Sequence, residues 1–338
     1  MGTESLTTGP YRVEPGRAAA VLVGDVGATN CRLALMGAAG DVLAQWRCTT
    51  HDYATPGEAI SAFLAANETI RPRFGSLAIA GPTGAGGVQL TNSTWHFDRP
   101  FLERSLRLER ILLINDLAAQ ARAVLDVPVS DLTHIGGPAV SSWVGAVAVV
   151  GPGTGLGVAR LEIGSCPVVA PTEGGHVGFA PNDDVELELL RLWRPQLGRV
   201  TNEHVMSGPG LVRIYRGLGV LTSKHIEPIE GPEIMRRAMA RQDDLCTEAV
   251  DRFARILGAV CADVVLAQGA RALALVGSIT QALSPVLQAG GFRARFEQLG
   301  PVPAYLSSVP SLLVPIPDLG IKGAFAWLKD QMAQEESL

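Results

Sequence analysis

The segment Leu113-Ile114-Asn115-Asp116-Leu117-Ala118-Ala119 constrains the chain most. An apolar run from Ile111 to Ile114 ends in an amide and a carboxylate, and a helical pattern starts at once. A buried strand that passes directly into a helix is the unit of α/β architecture, and such proteins hold their chemistry at the carboxyl ends of strands. Asn115 and Asp116 are therefore placed at a strand tip.

Two glycine-rich segments flank this tip in sequence. VLVGDVGATNCRLAL and VAVVGPGTGLGVARL each read as strand, small-residue turn, threonine, strand. A duplicated α/β unit explains the similarity; chance likeness between two hairpins also does. A third strand is expected at Val42–Arg47, a helix over 57–67, and strands at Ser76–Ala80 and Arg110–Ile114. Helices are expected at Leu102–Leu108 and Ala118–Leu125. The pattern restarts with strands at 144–150, 158–163 and 167–170. Helices follow at Glu186–Trp193, Gly210–Gly217 and Asp244–Ala267, the last with one apolar stripe. Strands at Ala272–Val276 and Leu312–Ile316 and a helix at Leu319–Met332 complete the reading.

The chain has 338 residues, 47% hydrophobic and 18% charged, enough for two globular domains. The net charge of −5 shows no basic patch of the kind that follows nucleic acid. Apolar stretches break well short of the roughly 20 residues of a membrane span. Residues 1–17 lack the apolar segment of a signal peptide and read as a loose polar tail. The cysteines Cys31, Cys48, Cys166, Cys246 and Cys261 are scattered and lack metal-site spacing. They read as buried thiols in a reducing, cytoplasmic compartment.

The run Gly24-Asp25-Val26-Gly27-Ala28-Thr29 can point backbone N–H groups into one concavity that binds an anion. Thr29 and Asn30 add side-chain donors. Asp25 repels phosphate but can hold a water on Mg²⁺. An ordinary hairpin tip uses the same residues. Gly153-Thr154-Gly155, within four glycines in seven residues, suits close backbone approach to a ligand or simple flexibility. A Walker loop is absent, and GxGxxG between strand and helix does not fit. Asp116 serves either as a helix N-cap or as the acceptor of a hydroxyl proton in phosphoryl transfer. In Thr172-Glu173-Gly174-Gly175-His176, carboxylate and imidazole suit adjacent sugar hydroxyls, with glycines leaving the backbone open; a turn with a capping Glu reads equally from the same letters. Glu203 alone looks like an ordinary helix carboxylate. Gly277-Ser278 puts a small-residue turn at a helix N-terminus, suited to a nucleotide.

Taken in order, LVGDVGATNCRLAL, TNSTWHF, INDLAAQA, GPGTGLGVA, EGGHVGFAP and EHVMSGPGLVRIY resemble the bacterial glucokinase family of the sugar kinase, Hsp70 and actin superfamily. The likeness runs from about Val21 to the last helix. It implies a two-domain actin-like ATPase (ribonuclease H-like) fold with an interdomain cleft that closes on glucose. The small domain would be 18–126 joined by 318–338, the large one 127–317. It implies ATP with Mg²⁺ and commonly a homodimer. By resemblance Asp116 matches the base for the sugar 6-hydroxyl, and Asn115, Glu173, His176 and Glu203 match sugar ligands. Gly24 to Thr29, Gly153 to Gly155 and Gly277 match the phosphate and adenosine motifs. Ala28 and Ser278 stand where the family usually has glycine, and 318–324 is a looser match. The cysteine-rich zinc motif of the neighbouring repressor and sugar-kinase branch is absent. A kinase for mannose or fructose, or a sugar sensor without catalysis, remains the alternative.

Overall fold

The computed structural model describes residues 20–81, 87–90, 93–164, 167–298 and 302–336. The tail expected at 1–17, Cys166, and Thr91 and Asn92 of the TNSTWHF motif lie outside them. The chain forms two compact units, Met1–Ala123 with Asp318–Leu338, and Val124–Pro317.

In the first unit, β1 (Val21–Val26), β2 (Asn30–Met36) and β3 (Val42–Thr49) form an antiparallel meander. Helix α1 (Pro56–Ala65) starts where Thr55 accepts the Glu58 N–H at 3.2 Å and Pro56 takes the first turn. Strand β4 (Phe74–Ile79), buried at every position, pairs parallel with β1. A two-residue ribbon, β5 (Val88–Gln89) and β6 (His96–Phe97), precedes α2 (Arg99–Leu106), which Asp98 caps. Strand β7 (Arg110–Asn115) then runs parallel to β4, giving the order β3-β2-β1-β4-β7. It passes directly into α3 (Asp116–Val124). The last helix of the chain, Leu319–Glu336, returns to this unit and packs Leu328 against Phe74 and Leu112.

The second unit adds a short edge strand, β8 (Thr133–Gly136), then a second meander, β9 (Ala146–Pro152), β10 (Leu156–Glu162) and β11 (Val168–Thr172). Helices α4 (Asp184–Leu197), α5 (Asn202–Val205), α6 (Gly208–Leu221), α7 (Gly231–Met239) and α8 (Asp244–Gln268) follow. Strand β12 (Ala272–Leu275) continues through α9 (Ser278–Ala282), α10 (Ser284–Gln288), α11 (Gly291–Glu297) and α12 (Pro303–Ser307) to β13 (Ser311–Leu313). The order is β11-β10-β9-β12-β13-β8. Except for edge strand β8, it repeats the first sheet: a meander followed by two parallel strands. The likeness between 21–35 and 147–161 is thus a repeated topology.

Two expected strands are shorter at one end. The strand expected at 144–150 starts at Ala146, because Gly145 turns with φ 66° and Val144 is exposed. The strand expected to reach Ile316 pairs only as far as Leu313. Strand β8 and helices α7 and α10 to α12 carried no sequence prediction.

The candidate active site

In the first unit the parallel register sets Val26, Ile79 and Asn115 on one rung, so β1, β4 and β7 end level. The turn at Gly27–Thr29 and the start of α3 share this carboxyl edge. Gly27 N–H donates to Asn30 O at 2.9 Å, while Thr50 holds the Ala28 carbonyl at 2.7 Å and the Thr29 carbonyl at 3.0 Å. Thr29 and Asn30 are exposed. Ala28 has no positive φ, so its methyl sits without backbone strain.

Asn115, rather than Asp116, caps α3. Its Oδ1 accepts from Leu117 N at 3.1 Å and Ala118 N at 3.0 Å, and its amide donates to Gly81 O at 3.2 Å. Asp116 Oδ1 accepts from Leu117 N at 2.9 Å. Burial pushes the Asp116 carboxyl above 3.8, with the Leu117 N–H pulling against it.

Asp25, on β1, belongs to a charged group that sequence reading did not find. Arg32 on β2 lies 3.3 Å from Asp25 and 3.5 Å from Asp318; Arg47 on β3 lies 3.3 Å from Asp318. Burial raises Asp25 to about 6; Arg32 opposes this, and the charges of Asp116 and Asp318 reinforce it. Gly320 explains how the last helix comes so near: a Cβ there would lie 2.5 Å from the Asp25 carboxyl carbon. Asp318 turns the chain into that helix with φ 56°, a left-handed conformation that aspartate tolerates better than most side chains. Asp318 is hundreds of residues from the other three in sequence, and only the looser motif at 318–324 pointed toward it.

In the second unit Leu275 pairs with Val150, and Val276 N–H donates to Val150 O at 3.0 Å. That register brings Gly277 beside the loop after β9: a Cβ on Gly277 would sit 3.3 Å from Pro152 O. Gly277 has φ 95° and ψ 164°, a region essentially reserved for glycine. Ser278 instead begins α9, so the strained position is the one that kept its glycine. Thr154 is exposed, and nothing stands within 4 Å of a Cβ on Gly153. Gly153 N–H closes the turn onto Gly155 O at 2.8 Å, and Gly208 N–H donates to Gly153 O at 2.8 Å.

Glu203 is no ordinary helix carboxylate. It sits on α5, a single turn held by a capping box between Thr201 and His204. Its Oε2 accepts the Leu156 N–H at 3.0 Å, and it occupies the space that a Gly155 side chain would need. Ser207 donates to the Glu203 carbonyl at 2.8 Å. Glu173 precedes a one-turn helix after β11 and His176 ends it, their side chains exposed and 3.6 Å apart. Glu173 makes no cap hydrogen bond, which removes the simple capping reading. Asn202 N–H donates to Val177 O at 2.8 Å and sets α5 beside this turn. The glycines at 174 and 175 have a packing reason: side chains there would strike Val158 and the Leu156 carbonyl. The first unit therefore groups Gly24, Asp25, Val26, Gly27, Ala28, Thr29, Asn115 and Asp116, and the second groups Gly153, Thr154, Gly155, Gly277, Glu173, His176 and Glu203.

Among the described residues no His, Cys, Asp and Glu cluster forms a metal cage, and no helix is long and apolar enough to cross a membrane.

Residues 22–331 match the family model described as Glucokinase. A glucokinase of Caulobacter sp. (strain K31) is 37% identical over 309 residues, covering 90% of this chain and 93% of that one. The crystal structure of glucokinase from an Antarctic psychrotroph superposes with a TM-score of 0.79 at 30% identity, covering 93% of this chain and 100% of that one. A ROK family glucokinase from Streptomyces griseus, in complex with glucose and AMPPNP, gives 0.63 at 20% identity over 91% and 98%. The shared fold is the actin-like ATPase fold of sugar kinases.

Proposed function

The chain belongs to the glucokinase family and is a sugar kinase, and from that premise we propose that it transfers the γ-phosphoryl group of ATP to the 6-hydroxyl of glucose. The observation that carries this reading is the contact of Glu203 with the loop Gly153–Gly155. A phosphoryl transfer enzyme gains most by holding donor and acceptor in fixed register. Here a carboxylate suited to sugar hydroxyls is seated on a loop suited to phosphate.

In this reading Glu173, His176, Asn115 and Glu203 hold the hexose hydroxyls. The backbone N–H groups of Ala28 and Thr29 and of Thr154 and Gly155 face phosphate oxygens, while those of Gly27 and Gly153 close the two turns, and Gly277 leaves room for the nucleoside. Asp116 accepts the proton of the attacking hydroxyl. The transition state is loose and the proton leaves late, so a carboxylate is a sufficient base. Asp25 suits Mg²⁺: its carboxylate shares the sheet edge with Asp116, their charges oppose each other, and a dication relieves that repulsion. The ion would be held by phosphates and by water on Asp25, as Mg²⁺ prefers. When bound it neutralises charge on the phosphates. A cytoplasmic homodimer is part of the same reading.

An ADP-release screen over glucose, mannose and fructose tests the assignment. The highest kcat/KM is expected on glucose. Glucose binding by calorimetry with no ADP release would leave a sensor; a higher kcat/KM on mannose or fructose would change the substrate.

Gly155→Ala tests the loop. Its methyl meets the Glu203 carboxylate, so either the loop or the carboxylate must move, at about 1–3 kcal/mol. KM for ATP and for glucose should rise together. A rise in only one would separate the two sites.

A further inference from the structure

Cys31 and Cys48 stand directly opposite each other on antiparallel β2 and β3. Thr50 N–H donates to Thr29 O, so residues 29 and 50 are a hydrogen-bonded pair, and 31 and 48, two positions along, are one as well. Such pairs place their Cα atoms about 5.5 Å apart. That lies inside the roughly 4.4–6.8 Å that the Cα atoms of a disulfide span; the Cβ atoms of such a pair, about 5.5 Å apart, must close by about 1 Å to reach the roughly 3.5–4.5 Å of the bond. Opposed side chains leave the same face of the sheet. Cys31 is buried in the core of the first unit, and Cys48 is half-buried against the same cluster. Each thiol lies within electrostatic reach of the other.

We propose that Cys31 and Cys48 form an oxidation site, a thiol pair that hydrogen peroxide converts to a disulfide joining β2 to β3. Cys48, the more accessible, loses its proton, and its sulfur attacks one peroxide oxygen. The O–O bond breaks, leaving a sulfenic acid on Cys48 and a hydroxide that takes a proton to become water. Cys31 gives up its proton, and its sulfur attacks the sulfenic sulfur. The S–O bond breaks and the departing hydroxyl leaves as a second water. Two thiols are oxidised by two electrons in all, and one peroxide is reduced to two waters. Burial pushes both thiols up, so each must lose its proton as it reacts.

The bond would form beside the Gly27–Asn30 turn. Asn30, which accepts from Gly27, precedes Cys31, and Thr50, which holds Ala28 and Thr29, lies two residues past Cys48. A covalent link there restrains the turn from both strands, whatever that turn binds.

The test treats the reduced full-length chain with peroxide under native conditions, alkylates the remaining thiols and maps peptides without reduction. The expected result is one intramolecular peptide joining Cys31 to Cys48, with two of the five thiols lost and both restored by dithiothreitol. Amide exchange at Gly27–Asn30 should slow in the oxidised form. Cys48→Ser, at the half-buried position, should lose the linked peptide. Recovery of Cys31 and Cys48 as separate alkylated peptides, or of Cys48 as an unlinked sulfinic acid, overturns the proposal. Unchanged exchange at the turn overturns its link to the loop.

Discussion

Asp116→Asn is expected to lower kcat by about 10²–10⁴-fold, the usual contribution of a positioned general base, while glucose still binds. Asparagine keeps the shape and the acceptor that Leu117 N–H uses, so α3 starts as before. What it removes is the negative charge that lets the carboxylate take a proton. Asn115 carries the cap, so a fall in rate would not come from a lost helix start. Calorimetry with glucose separates the two effects: affinity should stay close to the parent while ADP release collapses. The parent enzyme should also lose kcat/KM as pH falls through the raised Asp116 pKa, because only the ionised carboxylate accepts a proton. Burial favours the neutral acid, so this acid limb should lie above pH 3.8. The Asn variant should lack the part of that limb that belongs to Asp116 and keep only what Asp25, raised to about 6, contributes. Turnover close to the parent in Asp116→Asn would remove Asp116 from the chemistry and leave the family without its expected base here.

How much of this was legible in the sequence depends on range. Strand tips at Val26 and Asn115 could be read from apolar runs that stop at polar residues, since burial and periodicity are local properties. The hairpins around Gly27 and Gly155 were legible for the same reason. Edge strand β8 was not. Its four residues carry no buried alternation except Ile135, and it is a strand only because Ser311–Leu313 pairs with it through a shifted register. Helix α7 is short and buries only Ile234 and Ala238, one turn apart; with no side-chain cap, Pro232 in its first turn is its main start signal, and that was passed over. The single turn α5 has His204 at the position where a capping box usually has Glu or Gln.

The site shows the same division. Asp116 and the glycine loops were found because their neighbours in sequence are also their neighbours in space. Glu203 was found by resemblance, yet its bond to Leu156, 47 residues away, was not. The joining of Asp25, Arg32, Arg47 and Asp318 spans nearly the whole chain and depends on the return of the last helix. No local pattern encodes such a contact. Small residues do mark it indirectly: Gly320 is required by the Asp25 carboxyl, and Gly323 by something closer still.

Gly323→Ala is expected to be the most destabilising single methyl in the first unit. A Cβ at that position would overlap the backbone carbonyl of Ala119 in α3, on which the last helix rests. A clash with a flexible side chain is relieved by a rotamer change. Here the obstacle is helix backbone, so the helices themselves must part. Overpacking usually costs about 1–3 kcal/mol, and a rigid obstacle puts this case at the upper end or beyond it. Separation also disturbs the Arg122–Asp330 ion pair at 2.5 Å and the packing of Leu328 on Phe74 and Leu112. Gly153→Ala, with nothing within 4 Å of its Cβ, is the control and should change stability by no more than about 0.5 kcal/mol. Urea unfolding of both variants checks the contrast. A loss in Gly323→Ala no larger than in the control would mean that the last helix can move off α3 at little cost. Because α3 carries Asp116 in its first turn, a large loss should also lower kcat in the folded fraction, as the carboxylate shifts with its helix.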